Sequence, residues 1–441
     1  MQELLRKHNP IWFGQQLETG IERSTLHQIV SFLSVPHIIA ISGARRSGKS
    51  FLLRQLIMHL LGTNVPASNI LMMNFEDPFF VNNDDVKVLD TLLSEYRVMK
   101  NPSGKVFLFL DEIQNIPQWH RWLRDLYDQN PDVKIFITGS NSELLSVELA
   151  SHLTGRVLSF ENFPFSFYEF LQDRPDIKLP NILQFETLYP MKDSLQHYIE
   201  KIFQIGLFPE IINVEDVSLR EEILHQYFQQ VLFKDIIPKF SIRNSKTIEQ
   251  LAYYCSTTFA SRFSYHRIAS AVGSNENTVK EYLSYLEKAY LFFVIEHFSY
   301  SFKKQMRYAK KIYISDEGLR NATASSFSPD TGRHAENVVF LHLRRETQNI
   351  TFWQDDHSGA EIDFIIQRKN QYILCNVSYT NEISQREYNA FSMFLTSNPI
   401  KDYQCFIVTR DVYKKVIHQG VDIQLIPMWL FLLHIPRWLK Q

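Results

Sequence analysis

Residues 43–50 read Gly-Ala-Arg-Arg-Ser-Gly-Lys-Ser, directly between the apolar run His37 to Ser42 (HIIAIS) and the helical pattern FLLRQLIMHLL that starts at Phe51. A short strand, a glycine-bearing loop and a helix in that order make half of a crossover unit, so the chain is committed there to a parallel sheet covered by helices. The first third continues the pattern. Ile70 to Phe75 (ILMMNF), Val106 to Leu110 (VFLFL), Val133 to Thr138 (VKIFIT) and Val157 to Phe160 (VLSF) alternate with helical spacing, and each is short and mostly apolar, as strands buried on both faces should be. Five strands of a parallel α/β sheet are expected.

The loop matches GxxxxGK[ST] at every fixed position, and strand and helix flank it as that motif requires. Gly43, Ala44, Arg45, Arg46, Ser47, Gly48, Lys49 and Ser50 would wrap a triphosphate with inward-facing backbone N–H groups, and the helix N-terminus adds its partial positive charge. Lys49 would contact the β- and γ-phosphates, and Ser50 would ligate Mg²⁺. Val106 to Leu110 ends in Asp111-Glu112, two carboxylates at the carboxyl edge of the sheet, where α/β ligands bind. Asp111 would hold the Mg²⁺ shell and Glu112 would polarise the attacking water. Ile135 to Asn141 (IFITGSN) is another strand ending in small polar residues. Ser140, with Asn141 in reserve, would bond the γ-phosphate or the water between the two motifs. In His152-Leu-Thr-Gly-Arg156, just ahead of the fifth strand, the Arg156 guanidinium could meet charge developing on the γ-phosphoryl group. Taken singly, Asp111-Glu112, Ser140 and Arg156 also fit a solvated strand end, a capped turn and a surface ion pair; the upstream loop gives them weight together.

Composition narrows the rest. A chain of 441 residues exceeds one ordinary core and implies two to four domains. Glycine numbers only 14, about half the usual share of roughly 7%, and five of them (Gly43, Gly48, Gly139, Gly155 and Gly206) fall in motifs where a backbone must turn with positive φ or approach a ligand closely. The formal charge of -2 offers no whole-molecule field for polyanions, so any nucleic-acid contact must be a local patch. Cys255, Cys375 and Cys405 stand far apart without CxxC spacing, which argues against a disulfide framework or zinc site and fits a reducing cytosol. The N-terminus lacks an apolar signal core, and MWLFLL near the C-terminus is too short to span a bilayer, so a cytoplasmic location is expected.

The blocks GARRSGKS, NFEDPFF, FLFLDEIQNIPQWHRWLRDLYD, FITGSNSELLS, LTGRVLSFENFPFSFYEFL and IGLFPE, in this order, resemble the bacterial and archaeal AAA+ ATPases that carry a C-terminal domain of unknown function. They cover about Arg23 to Glu210, and EGL…ENVVF…EIDFII and QLIPMW extend the likeness toward the end. The resemblance implies a Walker A at Gly43 to Ser50, a Walker B at Asp111-Glu112, a sensor-1 residue at Ser140, and an arginine finger at Arg156 that completes a neighbouring subunit's site in a homo-oligomer. The fold class expected is α/β: a P-loop AAA+ core with a five-stranded parallel sheet (1–164), a helical lid or bridge (165–245), a winged helix-turn-helix (246–302) and a restriction-endonuclease-like α/β domain (303–441). ATP and Mg²⁺ are the expected cofactors, and Mg²⁺-dependent ATP hydrolysis coupled to a protein partner is the expected function. The alternatives are a slow nucleotide switch or scaffold and an ATP-gated nuclease acting on foreign DNA.

Two features of the later domains weigh on those alternatives. The recognition helix of the winged segment, Asn275 to Lys288, carries Glu276, Glu281 and Glu287 against Lys280 and Lys288, so phosphate neutralisation is missing where a groove would be entered. The basic run Lys303, Lys304, Arg307, Lys310 and Lys311 reads better as a solvated strand than as a DNA contact. Nuclease chemistry of this kind needs two metal-holding acids and a lysine. Glu361 and Asp363, with Glu336 on the preceding helix, supply acids, but Asn376-Val-Ser378 stands where relatives often have Glu-Val-Lys. The last domain is therefore expected to be nuclease-inactive.

Overall fold

The structure, a computed structural model, describes residues 1–81, 83, 85–141, 153, 155–324, 330–355, 357–369 and 371–438. The chain forms two compact units, Met1–Phe165 and Ser166–Gln441.

In the first unit, β1 (Ile38–Ser42), β2 (Ile70–Asn74), β3 (Val106–Asp111), β4 (Val133–Gly139) and β5 (Val157–Glu161) make one parallel sheet in the order β2-β3-β4-β1-β5. Successive side chains point to opposite faces. Ile39, Ile41, Phe107, Phe109 and Phe136 therefore join the helix Lys49–Gly62 through Leu52, Leu53, Leu56 and Ile57. Ala40, Leu108, Leu110, Ile135 and Ile137 meet Leu92, Tyr96, Leu123 and Leu126 from two other helices on the far side. Burial on both faces is why these strands read as continuous apolar runs. Lys134, 1% exposed, is a basic exception: its Nζ donates to Phe32 O, Val35 O and His37 O at 3.1, 2.8 and 2.7 Å, fastening the segment that leads into β1. At the β2 edge, Asn9 mimics a neighbouring strand, its amide donating to Met72 O (2.9 Å) and accepting from Met72 N–H (2.7 Å). The N-terminal segment so covers an edge that would otherwise offer free backbone groups.

The second unit begins with helices, among them Lys192–Ile205 and Val217–Gln230. Gly206-Leu-Phe-Pro ends the first for a packing reason: a Cβ on Gly206, which sits at φ 74°, would stand 2.0 Å from Asp316 Oδ1. Asp316 Oδ2 accepts the Leu207 N–H at 2.6 Å. Three helices (Ser245–Thr257, Tyr265–Ala271, Glu276–Lys288) then precede or alternate with β6 (Ser261–Phe263), β7 (Phe292–His297) and β8 (Lys310–Ile314). The remaining strands are β9 (Ile350–Gln354), β10 (Glu361–Arg368), β11 (Gln371–Ser378), β12 (Tyr403–Thr409), β13 (Lys414–His418) and β14 (Val421–Pro427). All nine form one sheet in the order β13-β14-β12-β11-β10-β9-β7-β8-β6, with the parallel pairing Glu296 to Thr351 and His297 to Phe352 joining β7 to β9. The MWLFLL run is buried in the helix Met428–Trp438. No described helix is long and apolar enough to cross a membrane, and all three cysteines are free and buried.

The solvated-strand expectation for the basic run is corrected at its end. Lys310 and Lys311 are 5% and 3% exposed, because β8 lies inside the sheet between β7 and β6. Lys310 pairs with Glu296, and Lys311 Nζ meets Glu336, Glu361 and Asp363 at 2.9, 2.6 and 2.9 Å.

Candidate active site

Strand order brings three chemically loaded exits side by side. With β4 between β3 and β1, the segment Thr138 to Asn141 leaves the sheet between Asp111-Glu112 and the loop Gly43 to Ser50.

The loop is held from several sides. Gly43 answers a close approach, since a Cβ there would stand 2.0 Å from Asn162 O. Gly48, at φ 93°, turns into the helix Lys49–Gly62, whose first turn has no capping side chain, and uncapped N–H groups at a helix start are what an anion binds. Arg23, 2% exposed, donates from Nη1 to Ser47 O (3.0 Å) and from Nη2 to Phe163 O (2.5 Å), and Asn162 Nδ2 donates to the same Ser47 O (2.9 Å). Arg45 Nη2 donates to Glu76 Oε1 at 2.9 Å.

Lys49, 5% exposed, donates from Nζ to Gly43 O and Ala44 O, both at 3.2 Å, and stands 3.3 Å from Glu112 Oε1. Ser50 Oγ donates to Asp111 Oδ2 at 2.6 Å. Thr138 joins the two acids: its Oγ1 donates to Asp111 Oδ1 and accepts the Glu112 N–H at 2.9 Å. Glu112 Oε2 accepts the Ser140 N–H at 3.1 Å and the Gln114 amide at 2.5 Å. Glu112 itself is left-handed at φ 53°, ψ 44°, a conformation a side chain keeps only where its surroundings over-determine it.

Burial, then the neighbouring Glu112 charge, pushes the Asp111 carboxyl up to about 6. Burial also pushes Glu112 up, but the Lys49 ammonium and the Gln114 hydrogen bond outweigh it and leave its carboxyl below the ordinary range. Two adjacent carboxylates are thus driven apart, Asp111 upward and Glu112 downward.

Arg156 lies elsewhere. Its carbonyl accepts the Ile38 N–H at 2.8 Å, so it sits where β1 begins, whereas the loop Gly43 to Ser50 leaves where β1 ends. At about 3.3 Å per residue these edges are roughly 15 Å apart. Its guanidinium grips Asp128, Nε to Oδ1 at 2.9 Å and Nη2 to Oδ2 at 3.2 Å. His152 and Thr154 of its block, and residues 142–151 after Asn141, lie outside the described residues.

The sequence reading missed Thr138, Gln114, Arg23 and Asn162. For Thr138 a signal existed: a polar residue in an otherwise apolar buried strand, one step beyond the Ile137 that pairs with Leu110. Arg23 and Asn162 had none, since they are 24 and 115 residues from the Ser47 they brace. Lys311 was visible only as part of a basic run.

In the second unit, Glu336, Glu361 and Asp363 do come together, but around the Lys311 ammonium, and Tyr313 donates to Glu336 Oε1 at 2.8 Å. Asn376, 1% exposed, works as a strut: its amide donates to Glu361 O (3.0 Å) and Glu387 Oε2 (2.8 Å), and its oxygen accepts the Asp363 N–H (3.2 Å). Among the described residues no group of three or more His, Cys, Asp or Glu is arranged to hold a metal ion.

Residues 35–171 match a family described as an AAA domain, and residues 196–330 and 331–431 match two domains of unknown function, DUF8612 and DUF4143. An uncharacterised protein of Methanocaldococcus jannaschii is 30% identical over 427 residues, covering 94% of this chain and 92% of that one. Another, from Haemophilus influenzae, is 27% identical over 416 residues, covering 92% and 97%. Among solved structures the chain is similar to PCH-2 of C. elegans, at 14% identity and a TM-score of 0.32, over 50% of this chain and 72% of that one. The chain belongs to the family of AAA-domain proteins that carry these C-terminal domains, a fold and family of nucleotide-binding P-loop proteins.

Proposed function

We propose that the protein is an Mg²⁺-dependent ATPase, converting ATP and water to ADP and phosphate in a homo-oligomer whose C-terminal domains couple nucleotide state to a protein partner. The observation that carries this reading is the convergence at one sheet edge of Lys49, 3.3 Å from Glu112, with Ser50, 2.6 Å from Asp111. The residues suit a metal–triphosphate ligand. Ser50 Oγ and Asp111 Oδ2 are hard oxygen donors of the kind Mg²⁺ prefers, and Lys49 is a buried ammonium satisfied largely by loop carbonyls. Bound Mg²⁺ supplies charge neutralisation on the transferring phosphoryl group. The chain's own residues do the rest. The backbone of Gly43 to Ser50 and Lys49 hold the phosphates, Glu112 orients water, Ser140 borders the γ-phosphate position, and Arg156, remote from its own loop, serves a neighbouring subunit.

The test is a pair of variants. Lys49→Ala is expected to abolish tight ATP binding, whereas Glu112→Gln keeps ATP and hydrolyses it far more slowly, because only the first removes a phosphate contact. Equal loss of binding in both would overturn the role assignment.

A second reading, a slow-turnover nucleotide switch, is favoured by one detail: both Glu112 oxygens are engaged by protein donors, Lys49 on one side and Gln114 with Ser140 on the other. Steady-state phosphate release per subunit separates the two.

A further inference from the structure

The Ser47 carbonyl is gripped by two buried side chains, Arg23 through Nη1 at 3.0 Å and Asn162 through Nδ2 at 2.9 Å. A trans peptide is planar and sets its N–H opposite its carbonyl, so fixing Ser47 O also fixes the direction of the Gly48 N–H. That N–H points away from Arg23 and Asn162, and it lies at the uncapped start of the helix Lys49–Gly62, where the phosphates would sit. A cation bonded to the carbonyl also polarises the peptide and strengthens its N–H as a donor. The loop needs such outside support, since Arg46 within it is left-handed at φ 66° without being glycine.

Arg23 has a second grip. Its Nη2 donates to Phe163 O at 2.5 Å and reaches Pro164 O at 3.4 Å, and the Phe165 ring lies 4.8 Å from the guanidinium carbon. Phe165 is the last residue of the first unit. The arginine is itself anchored, because its N–H donates to Gln55 Oε1 at 3.1 Å and Gln55 Nε2 donates to Thr19 O and Ile21 O at 2.8 and 2.7 Å. A guanidinium holds its donors in a rigid planar fork, so a turn of the Ser47 carbonyl on one arm shifts the other arm against Phe163 O.

We propose that Arg23 is a positioning residue that ties occupancy of the phosphate loop to Phe163-Pro164-Phe165, the segment by which the chain leaves the first unit. This role rests on the nucleotide reading of the loop and deepens it by naming how occupancy is passed along the chain. Bound phosphates fix the Gly48 N–H, hence the Ser47 carbonyl and the guanidinium, and Phe163 O is then held more firmly. By linkage, a firmly held segment favours the loop conformation that binds. The Asn162 side chain shares the first grip and not the second.

The experiment compares the full wild-type chain, Arg23→Lys, Asn162→Ala and Lys49→Ala, with Mg²⁺ and the β,γ-imido analogue of ATP, which is not turned over. Calorimetry reads affinity, and hydrogen exchange reads the amides of residues 161–168 with and without saturating analogue. Lysine keeps the charge but cannot bridge two carbonyls, so Arg23→Lys is expected to weaken binding about tenfold and to lose the ligand-induced protection of residues 161–168. Asn162→Ala weakens binding by a similar factor and keeps the protection once saturated. In Lys49→Ala the analogue changes nothing. A role in folding alone would lower the thermal midpoint of Arg23→Lys and leave affinity and protection as in wild type; either one unchanged in that variant overturns the proposal. Wild-type protein that binds the analogue without any change at residues 161–168 also overturns it, and needs no variant to fold. Wild-type protein that binds no analogue would instead overturn the nucleotide reading, and the role of Arg23 with it.

Discussion

Arg156 and Asp128 hold each other through two parallel hydrogen bonds within one chain, Nε to Oδ1 at 2.9 Å and Nη2 to Oδ2 at 3.2 Å. Both side chains are partly open to solvent, 33% and 44% exposed, and a pair of this kind is worth at most about 1 kcal/mol. Asp128 is therefore a weak keeper of a guanidinium whose proposed target lies in another subunit. Arg156→Ala is expected to bind ATP nearly normally and lose about a thousandfold in hydrolysis. Asp128→Ala keeps hydrolysis and raises it by no more than about fivefold. Mixing Arg156→Ala with Lys49→Ala, each inactive alone, restores part of the rate, because a mixed interface can pair an intact loop with an intact guanidinium. A mixture that stays inactive although mixed oligomers form excludes action in trans.

Thr138 links the two acids. Its hydroxyl serves Asp111 and the Glu112 N–H together, and Thr138→Val keeps the shape while leaving both groups buried without that partner. The expected loss of stability is about 1–3 kcal/mol. Phosphate release should fall at least tenfold while ATP affinity changes severalfold at most, and Thr138→Ser should recover most of the rate. Calorimetric binding beside phosphate-release kinetics checks it; equal falls in affinity and rate would show Thr138 to be merely structural.

Lys311 occupies the centre of the carboxylates that a nuclease would use for metal. Plasmid and linear DNA should survive incubation with Mg²⁺ or Mn²⁺, with or without ATP; cleavage that disappears on Asp363→Ala would refute this. Lys311→Met leaves three acids facing one another and should cost about 3–5 kcal/mol at pH 8. Burial already pushes the Glu336 carboxyl up to about 7. A folded-state pKa raised above the unfolded value favours the fold at low pH and withdraws that support as pH rises through about 7, so the variant's deficit should shrink toward pH 5. Denaturant melts at the two pH values measure it.

His342 is fixed as a neutral ring: Nδ1 donates to Val338 O at 2.8 Å and Nε2 accepts the Phe167 N–H at 2.8 Å. Burial, then the charge of Arg345, lowers its pKa to about 3. The unfolded chain takes up a proton near histidine's ordinary value of 6.5 while the folded chain does not, so stability contributed by this group is present above 6.5 and declines as pH falls toward 3. His342→Gln should flatten the stability–pH profile between pH 6.5 and 4. An unchanged slope in urea titrations across that range would exclude the assignment.

The sequence by itself determined the elements of the first unit and the chemistry at their ends. Five apolar runs, each punctuated by glycine or acid, appear as β1 to β5 within a residue or two; β1 to β4 read so because strands buried on both faces admit little but apolar side chains, whereas β5, at the sheet edge, is only partly buried. Gly43 and Gly48 were legible because scarce glycine marks a close approach and a left-handed turn, and Asp111 and Glu112 because an apolar strand rarely ends in paired acids without reason. Only the tertiary structure decided which strand exits are neighbours. Inserting β4 between β3 and β1 is what sets Thr138 against both acids and the Ser140 N–H against Glu112, and nothing local encodes that order. Long-range polar contacts were equally hidden. Arg23 under the loop, Lys134 beneath the carbonyls ahead of β1, and Lys311 among Glu336, Glu361 and Asp363 look in sequence like ordinary surface cations. Each is buried because partners 24 to 140 residues away satisfy its charge or its hydrogen bonds, and residue type alone does not reveal such partners.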